Sequence, residues 1–208
     1  QYMVDCINNE DIRVGTRKHK ICVVDAIRRY GKLETLADLT PSNILGFDQW
    51  LRDGTRSDVT VFGYHKRLKI YTHQLRMADM IERDPYDQVK IKRGKSKERQ
   101  PLTETELKKM RDAVLPKKLD RVRDLFIFAA YTGLSYADVQ LFDFKTMNEK
   151  VGEMYYIDGE RLKTGTKFFA PILQPAMDVL KKYDFKLPKI SNQKANDYLH
   201  VIQEKLEF

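Results

Sequence analysis

Apolar residues recur at every third or fourth position through much of the first 90 residues, a spacing that predicts amphipathic helices separated by short turns. Residues 16–29 show this spacing and end before a glycine that can close the helix in the left-handed conformation. Thr40 and Pro41 predict the N-cap and the first helical position of a second helix. A longer third helix is predicted to begin near Asp58 and to run past Ile81.

The second half of the chain mixes helical spacing with short alternating segments. A Thr-Glu-Thr-Glu capping box at 103–106 predicts a helix start. Apolar patterning predicts strands over 154–157 and 166–171, joined through turns at Gly159 and at Thr164-Gly165. The helices predicted around these strands cover residues 104–114, 119–131, a segment from Ser135 onward, 174–183 and 192–204. The chain is therefore predicted to be mainly α with a small antiparallel β-hairpin or sheet.

Between the two halves, residues 90–101 contain six basic residues, no aromatic residue, and both glycine and proline. This composition cannot bury a core and predicts an interdomain linker, which in a nucleic-acid-binding protein would run along a phosphate backbone. A solvated surface loop is the alternative. We accordingly divide the chain into a helical domain over 1–90, a basic linker over 91–101 and a second domain over 102–208.

Composition and charge narrow the class of protein. Hydrophobic residues make up 42% and charged residues 33% of the 208 positions, as in soluble globular proteins. No stretch approaches roughly 18 uncharged apolar residues, and the first residues do not resemble a signal peptide, so we expect a cytoplasmic protein with no membrane partner. The net charge of +8 favours a polyanionic partner, although solubility alone also accounts for a basic surface.

The cysteines do not form a recognisable framework. Cys6 and Cys22 are too few for a disulfide scaffold, and neither has a metal-ligand neighbour. Both are expected to be reduced thiols, with Cys22 in the core of a helix. We expect neither a metal nor a cofactor.

Two short segments carry the chemistry. Residues 131–139 read Tyr-Thr-Gly-Leu-Ser-Tyr-Ala-Asp-Val, and residues 161–167 read Arg-Leu-Lys-Thr-Gly-Thr-Lys. A helix that ends at a Thr-Gly-Leu turn, a second helix that starts at Ser135 and a basic hairpin with Lys163 at its tip resemble, in this order, the catalytic domain of tyrosine recombinases, the phage-integrase family. Shorter segments resemble a subgroup found on bacterial conjugative transposons and related mobile elements; they lie at 13–16, 64–69, 83–87 and 190–194.

The resemblance covers nearly the whole chain and implies a function. It implies a helical core-binding domain followed by the first part of an α+β catalytic domain. In this family a tyrosine hydroxyl attacks a DNA phosphodiester and forms a 3′-phosphotyrosyl intermediate, so no metal or ATP is required. The implied partner is double-stranded DNA, on which family members assemble as tetramers. The family's His-x-x-Arg box and nucleophilic tyrosine are expected after the last helix, so we expect the chain to be a DNA-binding fragment that is inactive and monomeric alone.

Three residues are the candidates for chemistry. Lys163 matches the hairpin lysine that would protonate the leaving 5′-oxygen, and a lysine in a hydrophilic turn is the alternative. Ser135 stands where the family has a catalytic arginine, and a hydroxyl supplies neither the charge nor the bidentate fork of a guanidinium. Arg161 is a hypothetical replacement: two residues before Lys163 on a strand, it would face the same phosphate, or else only DNA backbone or solvent. Asp138 is expected to form a capping box with Ser135 at the start of its helix and to support the site, and not to act as an acid catalyst.

Basic and aromatic residues on the first and third predicted helices and in the linker are candidates for DNA contact, with a solvated face as the alternative for each. They are Arg17, Lys18, Lys20, Tyr64, His65, Lys66, Arg67, Lys69, Lys92, Arg93, Lys95, Lys97 and, in the hairpin, Lys167. His73 and Arg76 form a formal His-x-x-Arg, but they precede the Thr-Gly-Leu turn and are not expected to be catalytic. Tyr198 is expected in the core.

Two other functions remain open at this stage. A truncated, non-catalytic protein that occupies recombination sites would fit the serine at position 135. A basic helical scaffold or an RNA-binding protein would fit the charge alone. Salt-sensitive binding to duplex DNA would favour the recombinase and the site-occupying protein over the scaffold or RNA-binding protein.

Overall fold

The computed structural model of the chain describes residues 1–96 and 98–208. They fall into two units, Gln1–Arg99 and Gln100–Phe208, each with hydrophobic cores of its own. Lys97, one of the predicted DNA contacts, lies outside the described residues. No helix among the described residues has the length and apolarity needed to cross a membrane.

Unit 1 is helical. The core lies between the third and fourth helices, where Ile44, Phe47, Leu51 and Val61 are fully buried. Thr40 caps the third helix as predicted, because its hydroxyl accepts from the amide N–H of Asn43 at 3.2 Å. The helices are α1 (Tyr2–Asn9), α2 (Val14–Tyr30), α3 (Pro41–Arg52) and α4 (Asp58–Met77), with 3₁₀ turns at Leu36–Asp38 and Pro85–Asp87.

Two predictions about the helices of unit 1 are wrong. Helix α4 ends at Met77 and does not run past Ile81: Asp79 adopts a positive φ of 54°, and the amide of Met80 donates to the carbonyl of Leu75 at 2.9 Å, which closes the helix. Cys22 is exposed and does not lie in a core, because the buried face of α2 consists of Val23, Val24 and Ala26.

The start of the predicted linker packs on unit 1. Val89 is buried and Ile91 lies against the same core as Phe47. A side chain at Gly94 would place its Cβ 2.4 Å from the Cβ of Asp58, so glycine permits a close approach to the first turn of α4. Val89, just before the basic segment, and Ile91 within it therefore hold the start of that segment against unit 1.

Unit 2 combines six helices with a small sheet, counted over the described residues, and confirms the predicted mainly α fold class. Helix α6 is central and packs against α5, α9 and α10. Phe128, Ile157 and Leu180 are fully buried in the main core. The helices are α5 (Glu104–Asp112), α6 (Lys117–Thr132), α7 (Tyr136–Leu141), α8 (Phe144–Met147), α9 (Gln174–Lys182) and α10 (Asn192–Leu206).

The antiparallel sheet has the order β1 (Asn148–Val151), β2 (Met154–Glu160) and β3 (Lys167–Pro171). The sequence predicts a turn at Gly159, but this residue lies within β2, opposite Phe168. A Cβ at this glycine would lie 2.7 Å from Cε of Met147, so the lack of a side chain serves packing and not a turn.

A buried ionic cluster is centred on Arg123 and Asp124 of α6. The guanidinium of Arg123 donates to the carbonyls of Met110, Arg111 and Ala113, which closes the C-terminal end of α5. Arg123 also pairs with Asp124 at 2.7 Å, and Asp124 in turn accepts from Lys182 and Tyr183 at 2.7 Å each. Burial alone would raise the pKa of Asp124, but these donors outweigh it and lower the pKa. The cluster ties α5, α6 and α9 together.

Candidate functional site

The Thr-Gly-Leu turn joins α6 to α7. Gly133 closes α6 with φ of +66°, a conformation that disfavours other residues, and its amide donates to the carbonyl of Ala129 at 2.9 Å. Leu134 then enters the core with 4% of its surface exposed. Ser135 is the N-cap of α7, and its hydroxyl lies 3.4 Å from the amide nitrogen of Asp138. The predicted capping box is therefore present.

Asp138 is a buried carboxylate that collects hydrogen bonds from both segments of the motif. Its Oδ2 accepts from the Ser135 hydroxyl at 2.8 Å and from Nη1 of Arg161 at 2.9 Å. Its Oδ1 accepts from the amide of Leu162 at 3.0 Å. The carboxylate thus joins the start of α7 to the residues that follow β2.

Arg161 lies beside the position that Ser135 occupies. Its Nη1 pairs with Asp138, its Nη2 donates to the carbonyl of Gly133 at 2.9 Å, and its guanidinium carbon lies 4.6 Å from the centre of the Phe168 ring. The side chain keeps 32% of its surface exposed, and a guanidinium has further N–H donors that these two acceptors do not use. A guanidinium therefore stands at the Thr-Gly-Leu turn, although the sequence places serine there.

The carboxylate that holds Arg161 is ionised over nearly the whole pH range. Burial alone would raise the pKa of Asp138, but donation from Leu162, Arg161 and Ser135 outweighs burial and lowers the pKa to about 2. A carboxylate with such a pKa supports the arginine as an anion and is not suited to act as a general acid near neutral pH.

Lys163 lies in a tight turn and not on a strand. The turn is closed by the amides of Thr164 and Gly165, which donate to the carbonyl of Arg161 at 3.2 and 2.8 Å. Arg161 and Lys163 therefore do not share one face of a strand, because β2 ends at Glu160, and the prediction that they do is wrong. Arg161 points back to Asp138, whereas Lys163 is exposed at the tip of the hairpin.

Of the basic residues predicted for DNA contact on α2, two are held within unit 1. Arg17 donates to the carbonyls of Ile7 and Glu10 and so closes the end of α1. Lys20 pairs with the carboxylate of Glu10 and is only 12% exposed. Sequence spacing along α2 could not reveal these contacts, because their partners lie on or just after α1. Lys18 remains exposed.

On α4, His65 is removed from the predicted DNA surface by burial. Its side chain is 2% exposed, its Nδ1 lies 2.8 Å from the Tyr86 hydroxyl, and its Nε2 lies 3.3 Å from Oδ1 of Asp48. Burial lowers the pKa of His65 to about 4, with Asp48 acting in the opposite direction. The prediction of a DNA contact at His65 is therefore wrong, since the imidazole is part of the core.

The other predicted contacts divide into partly engaged and exposed residues. Tyr64 packs on the core beneath Arg56, whose guanidinium lies 5.6 Å from the Tyr64 ring. Arg67 donates to the carbonyl of Gly63 at 2.7 Å. Lys69 is exposed, with its ammonium 5.9 Å from the centre of the Tyr86 ring. The other exposed residues of this set are Lys18, Lys66, Lys92, Arg93, Lys95, Lys163 and Lys167.

Unit 2 also has a basic groove that the sequence does not predict. It has a volume of about 780 Å³ and lies between the start of α6 and the segment that leads into α10. The hydroxyl of Tyr136, the residue after Ser135, donates to the carbonyl of Ile190 in this groove at 2.5 Å, so the groove borders the Thr-Gly-Leu site. Its cations are Lys118, Arg121, Lys186, Lys189 and Lys194, all exposed. They are spread over 77 positions, and no single cluster marks them in the sequence.

Tyr198 lines the basic groove, whereas His73 and Arg76 belong to unit 1. His73 and Arg76 are exposed residues of α4 in unit 1. Tyr198 is half-buried on α10 and packs in a core with Met110 and Ile202. Among the described residues, no group of histidine, cysteine, aspartate and glutamate side chains has the geometry of a metal site.

Comparison with known proteins gives a likeness of fold. No protein-family model and no curated protein sequence matches the chain. The chain is 17% identical to lambda integrase in a tetramer bound to a Holliday junction, with a TM-score of 0.77 over 99% of this chain and 63% of that chain. A dimer of lambda integrase bound to a COC′ core site gives 17% identity and a TM-score of 0.72, over 98% of this chain and 76% of that chain.

A third solved structure, the XerH site-specific recombinase bound to its difH substrate, is 14% identical with a TM-score of 0.56, over 84% of this chain and 55% of that chain. The chain thus spans less than two thirds of the lambda integrase tetramer's subunit and little more than half of XerH. These likenesses extend across both units. The chain has the fold of the tyrosine recombinases, as the two sequence segments around Ser135 and Lys163 predict.

Proposed function

We propose that the chain is the core-binding unit and the first part of the catalytic unit of a site-specific DNA recombinase, with the nucleophilic tyrosine supplied from outside Gln1–Phe208. The observation that carries this proposal is the position of Arg161, whose guanidinium is held by Asp138 and Gly133 at the Thr-Gly-Leu turn. The fold shared with lambda integrase and XerH supports it.

Arg161 is proposed as the residue that replaces the arginine missing at Ser135. In phosphoryl transfer by a tyrosine, negative charge develops on the non-bridging oxygens of the phosphate, and a guanidinium fixed before the reaction stabilises it without reorganisation. Arg161 is fixed in this way by two hydrogen bonds and by the Phe168 ring, and part of its surface stays open to a ligand. Ser135 then serves as helix cap and as a partner of Asp138.

Lys163 is proposed as the general acid that protonates the leaving 5′-oxygen. It follows Arg161 by two residues in the same closed turn and is exposed. An exposed ammonium on a short turn can reach a phosphate bound at Arg161 and give its proton to the oxygen that leaves as the tyrosine attacks. The reaction needs no metal in this mechanism, since charge stabilisation comes from cationic side chains.

The basic groove is proposed as the path of the DNA backbone across unit 2. Five lysine and arginine side chains line it, and the hydrogen bond from Tyr136 to the Ile190 carbonyl ties it to the helix that Ser135 caps. Neutralised phosphates release counterions, so such a groove adds affinity without reading sequence. On unit 1 the exposed lysines of α2, α4 and the basic segment are proposed to contribute in the same way.

The first test is binding of the 208-residue chain to duplex DNA over a series of salt concentrations, measured by fluorescence anisotropy. The logarithm of the association constant is expected to fall linearly with the logarithm of salt, and an RNA duplex of the same length is expected to bind more weakly. Absent or salt-insensitive DNA binding would contradict the proposal, because phosphate contacts always carry this signature. Preference for RNA would favour the RNA-binding alternative.

The second test is cleavage by the complete protein on a nicked DNA duplex that traps the covalent intermediate. Arg161→Ala is expected to reduce formation of the protein–DNA adduct on the order of 10²-fold while DNA binding persists. A natural protein that binds the site but forms no adduct would instead be a competitor that occupies recombination sites.

A further inference from the structure

The outer face of the sheet in unit 2 is separate from the Arg161 site. Ile157 of β2 is fully buried, so the alternate residues Tyr156 and Asp158 point away from the core. Through the register, Tyr156 lies opposite Glu149 of β1 and Pro171 of β3. On this face the side chains of Val151, Met154, Asp158 and Phe169 are exposed.

Half of the outer face is apolar. Phe169 is 53% exposed, Val151 50% and Met154 43%. The rings of Tyr156 and Phe169 stack with their centres 4.6 Å apart and an angle of 7° between their planes. The stripe therefore crosses all three strands, and its aromatic pair offers a flat, preorganised surface of the kind that dominates protein interfaces.

The other half of the outer face is acidic. Glu149, Asp158 and Glu160 lie beside the apolar stripe, and none of them forms an ion pair with any residue of the described part of the chain. Most of the buried or half-buried carboxylates of unit 2 are paired, for example Asp124 with Lys182. The one cation on this face is Lys167, opposite Glu160 in the register. In a chain with a net charge of +8, this face thus has the opposite sign to the rest of the surface.

We propose that the outer face of the sheet docks a cationic amphipathic helix of a partner protein. The apolar stripe would receive the hydrophobic side of that helix, and the three carboxylates would pair with lysines or arginines along its edge. Nucleic acid is repelled by the same carboxylates, so the face is separate from the phosphate surface. A polar rim beside an apolar centre is the usual anatomy of a protein interface.

The dimensions of the face favour a helix. Three strands about 4.8 Å apart form a surface roughly 10 Å wide, which matches the diameter of one α-helix. Helices also cover the inner face of this sheet, where Ile157 packs with Leu180 of α9. A helix on the outer face would give the sheet a layer on both sides, an arrangement that buries apolar residues on both of its surfaces.

The test uses two synthetic helical peptides of about 18 residues with the same leucine face, one with lysine and one with glutamate on the polar face. Binding to the 208-residue chain is followed by NMR at the methyl group of Met154 and the ring of Phe169. The lysine peptide is expected to shift these signals, and the glutamate peptide is expected to bind at least about tenfold more weakly.

Two variants and their matched controls locate the binding site. Phe169→Ser and the double variant Asp158→Lys/Glu160→Lys are each expected to lower the affinity for the lysine peptide about tenfold. The control for Phe169→Ser is Leu141→Ser, at an apolar residue of α7 that is 56% exposed. The control for the double variant is Asp197→Lys/Glu204→Lys, at exposed residues of α10. Both controls are expected to bind the lysine peptide as the parent does.

Equal binding by the Phe169 variant and the parent, or no shift at Met154, would overturn the proposal. Sedimentation of the chain without peptide tests a second copy as the occupant. A dimer that Phe169→Ser abolishes would also overturn the proposal, since the face would then serve self-association.

Discussion

The guanidinium of Arg161 and the carboxylate of Asp138 lie 2.9 Å apart although 23 positions separate them in the chain. The same Oδ2 atom of Asp138 accepts from the hydroxyl of Ser135 at 2.8 Å. The carboxylate that would support an arginine at position 135 therefore supports Arg161. This relationship links a serine that departs from the family's motif to an arginine that follows β2.

Asp138→Asn is expected to destabilise unit 2 in a pH-dependent manner. The pKa of Asp138 is about 2 in the folded chain, below its ordinary value of 3.8, so its carboxylate stabilises the fold fully above about pH 4 and ceases to do so as the pH falls through 2. The shift corresponds to about 2 kcal/mol. Urea unfolding, followed at the methyl groups of Ile157, should show this loss near pH 6 and almost none below pH 2. A loss that is constant with pH would mean that the ionised carboxylate is not the stabilising group.

Ser135→Arg is expected to rescue the Arg161→Ala variant of the complete protein. Both native side chains contact Oδ2 of Asp138, so an arginine at 135 can place its guanidinium against the same carboxylate. Loss of the serine cap costs about 1 kcal/mol, which leaves the fold intact. Formation of the covalent DNA adduct is the measurement, and partial recovery of about tenfold is expected from the restored charge.

The matched control for this rescue is Ser135→Ala in the same Arg161→Ala background, which removes the cap without supplying a guanidinium and should not recover cleavage. Arg161→Lys completes the series, because it keeps the charge but loses the bidentate fork and should remain impaired. Recovery by Ser135→Ala would show that Arg161 does not act through the phosphate.

Lys163→Ala is expected to leave the DNA affinity of the 208-residue chain nearly unchanged and to abolish cleavage by the complete protein. Lys163 is one of many exposed cations, so its share of the affinity is small, whereas it is the proposed donor of the proton that the leaving oxygen takes up. In a DNA substrate with sulfur in place of the bridging 5′-oxygen, the sulfur leaves as a thiolate and needs no proton. This substrate should therefore restore cleavage by Lys163→Ala. Lys205→Ala, at an exposed lysine on α10, is the control that should cleave normally.

The sequence predicts the helix N-caps correctly, because each cap depends only on residues close together in the chain. The caps at Thr40, Thr103 and Ser135 are all present, because a side chain and a backbone amide three residues apart decide them. Strand β1 was missed: Asn148–Val151 is an exposed edge strand with no alternation of apolar residues. The sequence predicts a turn at Gly159, which lies in a strand, because glycine is typical of both turns and close packing.

Contacts between distant segments could not be predicted from the sequence. Arg17 and Lys20 have the spacing of a DNA-binding face, but their partners are the carbonyls and the carboxylate at the end of α1. His65 stands within a basic segment and is nevertheless buried against Asp48 and Tyr86. Periodicity along one helix states which residues share a face, and only the packing of other elements decides whether that face meets solvent.

Protonation of His65 is expected to destabilise unit 1. Burial lowers its pKa to about 4 from the ordinary 6.5, so the unfolded chain binds the proton more readily, and stability falls as the pH decreases from about 6.5 to 4. Asp48 raises the pKa of His65, whereas Arg52 lowers it. The neighbouring Tyr86 hydroxyl stays neutral because burial raises its pKa. The fluorescence of Trp50, the single tryptophan and a residue packed against Phe47, reports on unfolding of this unit.

The comparison for His65 is His65→Gln, which keeps a polar side chain in the site but does not titrate. Its stability should change less than that of the parent between pH 6.5 and 4. A parent chain whose stability is flat over this range would show that the imidazole is not held neutral by burial.

Lys194→Ala should weaken DNA binding of the 208-residue chain and reduce its salt dependence, since Lys194 lies in the first turn of α10 and lines the basic groove. Each phosphate contact that is lost lowers the slope of log K against log salt by about 0.9. Lys205→Ala provides a control on the same helix, because Lys205 lies in its last turn and away from the groove. Anisotropy titrations between low and moderate salt should give a smaller slope for Lys194→Ala alone. Equal slopes for the two variants would place the DNA elsewhere on unit 2, because loss of a lysine in the groove would then release no additional counterion.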